Sequence, residues 1–459
     1  MANSFVFDPN RCTGCHACRL ACSIENDLGL ERSWRRIDTY NRNHLPNLPL
    51  YHLSLACNHC NEPACMYACP ALAYSRDTAT GALILDEGKC LGCRYCAWAC
   101  PYDAPVFDQA RGIMTKCTFC NHRLLDGLKP ACAALCPTGA LDFADLPEDR
   151  LRQEIAGFPT SALQPRLQIK PLRPERKRPL MTAADVRNPF VPSQEPSGSE
   201  ISLRSEWSLV GFTTLLAVLV ATVTANLKGA LAVPPLVFLG AAALKLGLAS
   251  AHLGRLSRAY RAVLNLRRSW LSREVVAVSS FVGLSCAYLW LAPDSRIVGA
   301  SAVLAGVAAL WCADQVYGVL DGAAPVYQHS ASVLWTGLYL SGLLGGTAWL
   351  AGLLGFGKMM LYVLRKLRLL DTGKPVRPLI SAARLVVGLL LPLLLWSIDR
   401  EATVALQVFF ALLGEAIDRA EFYSELQPRS PRRQMALELD HQLGVRSGRS
   451  VEPALSGAD

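Results

Sequence analysis

Between positions 12 and 136 the chain sets out sixteen of its 18 cysteines in four groups: Cys12, Cys15, Cys18, Cys22; Cys57, Cys60, Cys65, Cys69; Cys90, Cys93, Cys96, Cys100; and Cys117, Cys120, Cys132, Cys136. Each group ends in C-x3-C, and three of the four place a proline straight after the last cysteine, at Pro70, Pro101 and Pro137. In a run C-x2-C-x2-C-x3-C-P, three closely spaced thiolates wrap one [4Fe-4S] cube, while the fourth begins a helix pointing away and reaches a different cube. Four groups therefore supply sixteen thiolates for four cubes. Structural zinc also uses C-x2-C pairs, but it takes two pairs per ion and has no use for the three-plus-one rhythm or the trailing proline. A disulfide framework needs an oxidising compartment and a secretion signal. The opening MANSFVFDPN has neither a basic n-region nor an apolar h-region. Iron-sulfur redox chemistry is the reading that remains.

The elements that must position these thiols are small. AYSRDTATGALIL (73–85) has turn residues from Asp77 to Gly81 between strand-like ends, which predicts a hairpin bridging two cluster-binding halves. The expected fold over residues 1–150 is α+β and ferredoxin-like, two lobes of short strands and helices hung on the clusters. Arg35 and Arg36 in SWRRIDTY are followed by no apolar stretch, so they are read as a solvated surface pair and not as a twin-arginine signal.

Residues 151–205 change character. Eight prolines (159, 165, 171, 174, 179, 189, 192, 196), many basic residues and SQEPSGSE give the composition of a semi-extended, Pro/Arg-rich linker. From Trp207 the text becomes long runs of Leu, Val, Ala and Gly, several near the roughly 20 residues that cross a bilayer. An all-α polytopic membrane domain is expected over 206–423, followed by a polar tail, 424–459. The net charge of +9 lies mainly in RLQIKPLRPERKR (166–178) and in loops between apolar runs. Membrane anchoring explains it better than nucleic acid, for which no aromatic-basic platform is present.

Spans are read near 207–227, 231–252, 274–292, 297–319, 379–397 and 402–420, with 331–367 forming one long span or two joined at Gly345 and Gly346. Loop 254–273 carries six arginines and the stretch 365–384 six Lys or Arg, against about one in each intervening loop. These basic regions share a side with the linker only if 331–367 crosses twice, which gives eight helices with both termini cytoplasmic. Loop 320–330, with no Lys or Arg, carries no signal of its own.

Residues 5 to about 145 resemble the four-cluster electron-transfer subunit of the dimethyl sulfoxide reductase family of molybdenum enzymes. The resemblance implies that the groups pair first with last and second with third. Cys12, Cys15 and Cys18 would share a cube with Cys136; Cys117, Cys120 and Cys132 with Cys22; Cys57, Cys60 and Cys65 with Cys100; and Cys90, Cys93 and Cys96 with Cys69. Some relatives replace one cysteine and carry a three-iron cluster, but no cysteine is missing here. SAHLGRLSRAYRAVLNLRRSWLSREVVA (250–277), QVYGVLD (315–321) and GEAIDRAEFY (414–423) resemble the eight-helix anchor subunit of the same reductases, which oxidises menaquinol. The chain then reads as a fusion of the two.

A quinol loses two protons with its two electrons, so its site wants a group near neutral pKa and a carboxylate leading to water. His252 and Glu274 fit those roles, and Arg258 would polarise a quinone oxygen; the plainer alternative is that His252 and Glu274 cap helix ends. Glu415, Asp418 and Arg419 are read as a structural ion-pair set, Asp314 as a candidate proton route, and Cys286 and Cys312 as small packing residues. Haem b needs facing histidines, and only His252, His329 and His441 lie beyond residue 200, so no haem is expected.

The resulting expectation is an electron-transfer and anchor subunit in the inner membrane, with its cluster domain on the cytoplasmic side. It passes electrons from menaquinol through four [4Fe-4S] clusters to a separate molybdopterin catalytic subunit in anaerobic respiration. No catalytic residue for a terminal substrate is visible. Reverse flow from a molybdenum oxidase to quinone, or a part in a redox-driven ion pump, are the alternatives.

Overall fold

The protein is described by a computed structural model covering residues 2–29, 32–43, 45, 48–159, 161–173, 206–320, 326–371, 376–398, 400–426 and 428–446. It divides into two compact units, one formed by the N-terminal 200 residues together with the chain from Pro428, the other by Ile201–Gln427.

The first unit is built from short pieces. Strand β1 (Ala2–Phe7) is the centre of its only three-stranded sheet among the described residues, with the other strands paired in hairpins. β2 (Arg36–Tyr40) pairs with β3 (Tyr51–Leu55), β4 (Tyr74–Arg76) with β5 (Leu83–Leu85), and β6 (Val106–Asp108) with β7 (Ile113–Thr115), all antiparallel. β8 (Leu141–Leu146) runs antiparallel to β1 and β9 (Leu167–Ile169) parallel to it. Phe5 and Phe7 alternate onto the buried face of β1, where Phe5 meets Phe119 and Phe143 edge-on at 5.0 and 5.4 Å. The β4–β5 hairpin lies where the sequence places it. Asp77 Oδ1 accepts from the backbone N–H of Ala79 and Thr80, and Gly81 supplies the left-handed residue that closes the turn.

Five short helices carry the cysteines or lie beside them: α1 (Ala17–Glu25), α2 (Ala64–Ala68), α3 (Tyr95–Trp98), α4 (Asn121–Leu125) and α5 (Ala131–Ala134). Residues 151–173, whose composition reads as the start of a tether, contain β9. Leu167 and Ile169 are buried, and Pro165 and Pro171 flank the strand without interrupting it. The linker prolines from 174 to 196 lie outside the described residues.

The second unit is helical: α6 (Trp207–Leu227), α7 (Pro235–Ser250), α8 (Trp270–Cys286), α9 (Arg296–Tyr317), α10 (Val333–Leu344), α11 (Ala348–Asp371), α12 (Pro378–Leu385), α13 (Leu391–Ile398) and α14 (Arg400–Glu425). α8 runs on through a widened π turn to Leu291, and another π turn, Val386–Leu390, joins α12 to α13. Five of the resulting helices are long and apolar enough to cross a membrane: 207–227, 270–291, 296–317, 348–371 and 378–398. Their outward faces, with that of α7, carry bare Leu236, Leu291, Ile297, Trp349 and Leu379, a surface suited to lipid and not to water. α7 and α10 are apolar but shorter, and α14 carries Glu415, Asp418, Arg419 and Glu421 in its second half. Residues 331–367 do break in two: α10 ends before Gly345, and Gly346 adopts a left-handed conformation before α11 begins.

The last helix, α15 (Pro431–Arg446), belongs to the first unit. Arg432 pairs with the buried carboxylate of Asp38, and Met435 seats on Gly157, whose φ of +81° and lack of a side chain leave room for it. Part of the polar tail is therefore a packed element. Asp321 of QVYGVLD and the segment from 447 lie outside the described residues.

Candidate functional site

The four cysteine groups share one local geometry. In each C-x-x-C the residue before the second cysteine is left-handed: Gly14 (φ 68°), His59 (φ 45°), Gly92 (φ 70°) and Phe119 (φ 62°). Such turns aim backbone N–H groups inward as anion-binding nests. Gly92 N–H donates to Cys90 Sγ and Phe119 N–H to Cys117 Sγ, each at 3.4 Å. The third cysteine of each group lies in α1, α2, α3 or α5, and the fourth follows about one turn later. More donors reach the sulfurs from elsewhere in the chain: Ala73 N–H to Cys69, Met114 N–H to Cys90, Leu141 N–H to Cys136, and the Asn26 amide to both Cys22 (4.0 Å) and Cys120 (3.8 Å).

The thiols gather in foursomes that cross the sequence groups. Cys12 interacts with Cys15, Cys18 and Cys136; Cys60 with Cys57, Cys65 and Cys100. Cys132 interacts with Cys120 and Cys22, and Cys117 with Cys22 and Cys132. Cys69, Cys90, Cys93 and Cys96 line one cavity with Tyr74 and Met114. Two contacts pass between foursomes, Cys96 to Cys65 and Cys117 to Cys57. Burial pushes the thiols of Cys93 and Cys100 up to about 12 and Cys132 up to about 11. Only a strongly positive ligand draws such protons off, which suits iron and not a free thiol role. Among the described residues no three His, Cys, Asp or Glu meet closely enough to hold a single metal ion.

The interior between foursomes is cationic, which the sequence did not disclose. Arg35 is fully buried and not at the surface: Nη1 donates to Ser54 O (3.0 Å) and Ser54 Oγ (3.2 Å), and the guanidinium lies 4.3 Å above the Phe5 ring. Arg36, its neighbour, turns the other way in the extended chain and binds Asp38 and the carbonyls of Tyr102 and Asp103. Strand alternation thus separates two arginines that look alike in the sequence. The Arg35 charge acts on Cys132, Cys18, Cys117 and Cys22, thiols of two different foursomes. Ser54 Oγ also meets Cys18 Sγ at 3.3 Å. Lys116 is buried too, donating to the carbonyls of Leu83 and Cys117. His59 stacks on Phe119 at 3.5 Å and accepts the Leu83 N–H on Nδ1. Burial and the nearby Lys116, Arg76, Arg166 and Arg35 charges hold it well below the usual histidine range, hence neutral. A buried cation costs too much to stand unmatched, so this interior fits a set of buried anions.

Residues 48–146 match the 4Fe-4S dicluster domain family. The protein is 44% identical over 181 residues to an iron-sulfur chain of the anaerobic dimethyl sulfoxide reductase of Haemophilus influenzae, covering 88% of that chain and 36% of this one. It belongs to the family of dimethyl sulfoxide reductase iron-sulfur subunits. The Escherichia coli counterpart is 43% identical over 170 residues, 82% of its length and 35% of this chain. A subunit of the sulfite dehydrogenase of Allochromatium vinosum is 35% identical over 164 residues, 68% of its length and 31% of this chain.

This member of the iron-sulfur subunit family also carries the helical unit, where the residues singled out from sequence separate. His252 follows α7 and is half-buried, and Arg258 lies in the 3-10 turn Leu256–Val263. Glu274 is buried in the first turns of α8, and the opposite charge acting on it is Lys245, on α7. Asp314 serves the backbone: Oδ1 accepts from Val333 N–H (2.7 Å) and Oδ2 from Leu334 N–H (3.0 Å) and Ser332 Oγ, so it caps α10. Glu415 and Asp418 pair with cations of other helices. Arg384 Nη2 reaches both, at 2.7 and 3.2 Å, Lys358 holds Glu415 at 3.2 Å, and Arg365 holds Asp418 at 3.2 Å. Arg419 is not part of that set; one residue on from Asp418, about 100° round the helix, it turns to α6 and donates to Thr213 Oγ1 at 2.8 Å. Cys286 and Cys312 are half-buried in apolar helices. Sequence reasoning missed Lys245, Lys358 and Arg384. The first two stand as lone charges in apolar runs, AAALKLGLAS and GFGKMML, which is the signal that could have found them.

Proposed function

We propose that the chain is a fused electron-transfer and membrane-anchor subunit that takes electrons from menaquinol and delivers them, through four [4Fe-4S] clusters, to a separate molybdopterin catalytic subunit. The observation that carries this is the crossing of the four sequence groups into four foursomes, each surrounded by N–H donors or buried cations. Cys12, Cys15, Cys18 and Cys136 hold one cluster, and Cys22, Cys117, Cys120 and Cys132 the next. Cys57, Cys60, Cys65 and Cys100 hold the third, and Cys69, Cys90, Cys93 and Cys96 the fourth. Each cluster, when bound, takes up and releases one electron. The protein's part is to fix the order of the sites: Arg35 lies between the first two, Cys117 beside Cys57, and Cys65 beside Cys96. That order is a wire. The molybdenum partner follows from the family, whose named members are parts of dimethyl sulfoxide reductases.

At the membrane end the quinol site comprises His252, Arg258 and Glu274. The quinol gives up two electrons, one to each of two oxidised clusters, and its two protons pass to His252 and Glu274 and on to water. The helical unit crosses the inner membrane eight times, and the cluster domain stands on the cytoplasmic side, a reading that the basic loops support. Iron and sulfide analysis of the anaerobically purified protein should return sixteen of each per chain. Cys22→Ser should remove or convert the cluster of Cys117, Cys120 and Cys132 and leave the signals of the other three. Loss of the Cys12 cluster instead would contradict the crossed assignment.

One relative favours a second reading. The Allochromatium protein is named a dehydrogenase subunit, so a protein of this type can serve an oxidation. Cluster midpoint potentials below that of the quinone pool throughout would support flow from substrate to quinone.

A further inference from the structure

The helical unit holds two kinds of buried cation. Lys358 is the ordinary kind: its ammonium donates to the carbonyl of Ser330, to Thr336 Oγ1 at 3.2 Å and to Glu415 at 3.2 Å. Lys245 is equally buried, yet its Nζ has no hydrogen-bond partner among the described residues. It rests 4.3 Å above the ring of Phe212, with the charge of Glu274 acting on it from α8. Arg419 is the second of this kind: Nη1 donates to Thr213, the residue after Phe212 on α6, but Nε and Nη2 meet no acceptor among the described residues. The ammonium of the one and two nitrogens of the other thus go unmatched in an apolar interior where each unmatched donor is costly.

These groups are neighbours. Tyr317 and Tyr423, joined through their hydroxyls, both feel the charges of Arg419 and Glu274. Asp314, whose oxygens the start of α10 already occupies, feels Arg419 and acts on Glu274. Lys245 also stands seven residues before His252, two helical turns, which puts it on the α7 face that leads to His252 and roughly 10 Å deeper.

We propose that Lys245 and Arg419 are the two donors that hold the oxygens of a quinone headgroup beside Glu274, with Tyr317 and Tyr423 closing the chamber. A para-quinone presents two acceptor oxygens on opposite edges of a flat ring, and two separated cations anchored on adjacent residues of one helix are the complement to that. The reading rests on the quinol function proposed above and extends it to residues outside the His252, Arg258 and Glu274 set.

The test follows cluster reduction in the full-length protein in its membranes as menadiol is varied, with dithionite as the control reductant. Lys245→Gln and Arg419→Gln should each raise the menadiol concentration for half-maximal reduction about tenfold or more, the loss of a charged hydrogen bond. Dithionite should still reduce the clusters fully, which shows that the protein has assembled, and Lys245→Arg should restore most of the affinity. Unchanged menadiol dependence in both Gln variants overturns the proposal alone. Failure of menadiol to reduce wild-type clusters that dithionite does reduce overturns it together with the quinol function. If a Gln variant does not assemble, Lys245→Arg and Arg419→Lys carry the test: donors displaced at constant charge should still shift the menadiol dependence, and no shift overturns the proposal.

Discussion

At the scale of single residues, a buried charge is informative when its partners are counted. Arg35 is enclosed, half-satisfied by Ser54, and stands between thiols of two foursomes. Reducing a cluster adds negative charge, which a nearby cation in a low-dielectric interior stabilises. Arg35→Met should therefore lower the midpoint potentials of the clusters of Cys12 and Cys117 and leave the other two in place, as read by redox titration under EPR. Equal shifts in all four clusters, or none, would show that the arginine serves packing alone. Glu415 and Asp418 call for a different outcome. Removing one partner of a fully buried ion-pair set costs about 3–5 kcal/mol, so Asp418→Asn should lower the thermal unfolding midpoint in detergent without moving any cluster potential. The cysteines were legible in the sequence because a thiolate is itself the ligand and its spacing is the geometry. Arg35 and Lys245 were not, since an isolated cation gives no sign of which face of a strand or helix will be closed over.

At the scale of elements, the helical unit depends on one close crossing. Gly388, in the π turn between α12 and α13, and Gly414 of α14 approach so closely that a Cβ on Gly414 would lie 2.2 Å from Gly388 Cα. The same contact presses Arg384 toward Glu415 and Asp418. Gly414→Ala should push the helices apart and weaken that ion-pair set, at a cost of about 1–3 kcal/mol, measurable as loss of folded protein on heating in detergent. Much of this level was readable. The hairpin at 73–85 and the break at Gly345 and Gly346 follow from turn residues, because glycine and aspartate fix backbone geometry locally. β9 and α15 escaped because their prolines and charges sit at the flanks or on the outer face, and burial of Leu167, Ile169 and Met435 depends on partners far away in sequence.

At the scale of the molecule, a redox module and an apolar helical unit share one chain, so the membrane end of the wire needs no separate docking step between anchor and clusters. The basic loops argue for the first unit on the cytoplasmic side. Protease added to inside-out vesicles should then digest the cluster domain, whereas digestion only in right-side-out spheroplasts would reverse the assignment. The measurement that bears most directly on the central claim is anaerobic EPR of membranes containing the protein, before and after a menaquinol analogue is added, with His252→Ala alongside. Several interacting [4Fe-4S] signals should appear on addition in the wild type and fail to appear in the variant. Clusters that dithionite reduces but quinol leaves oxidised in the wild type would contradict the account.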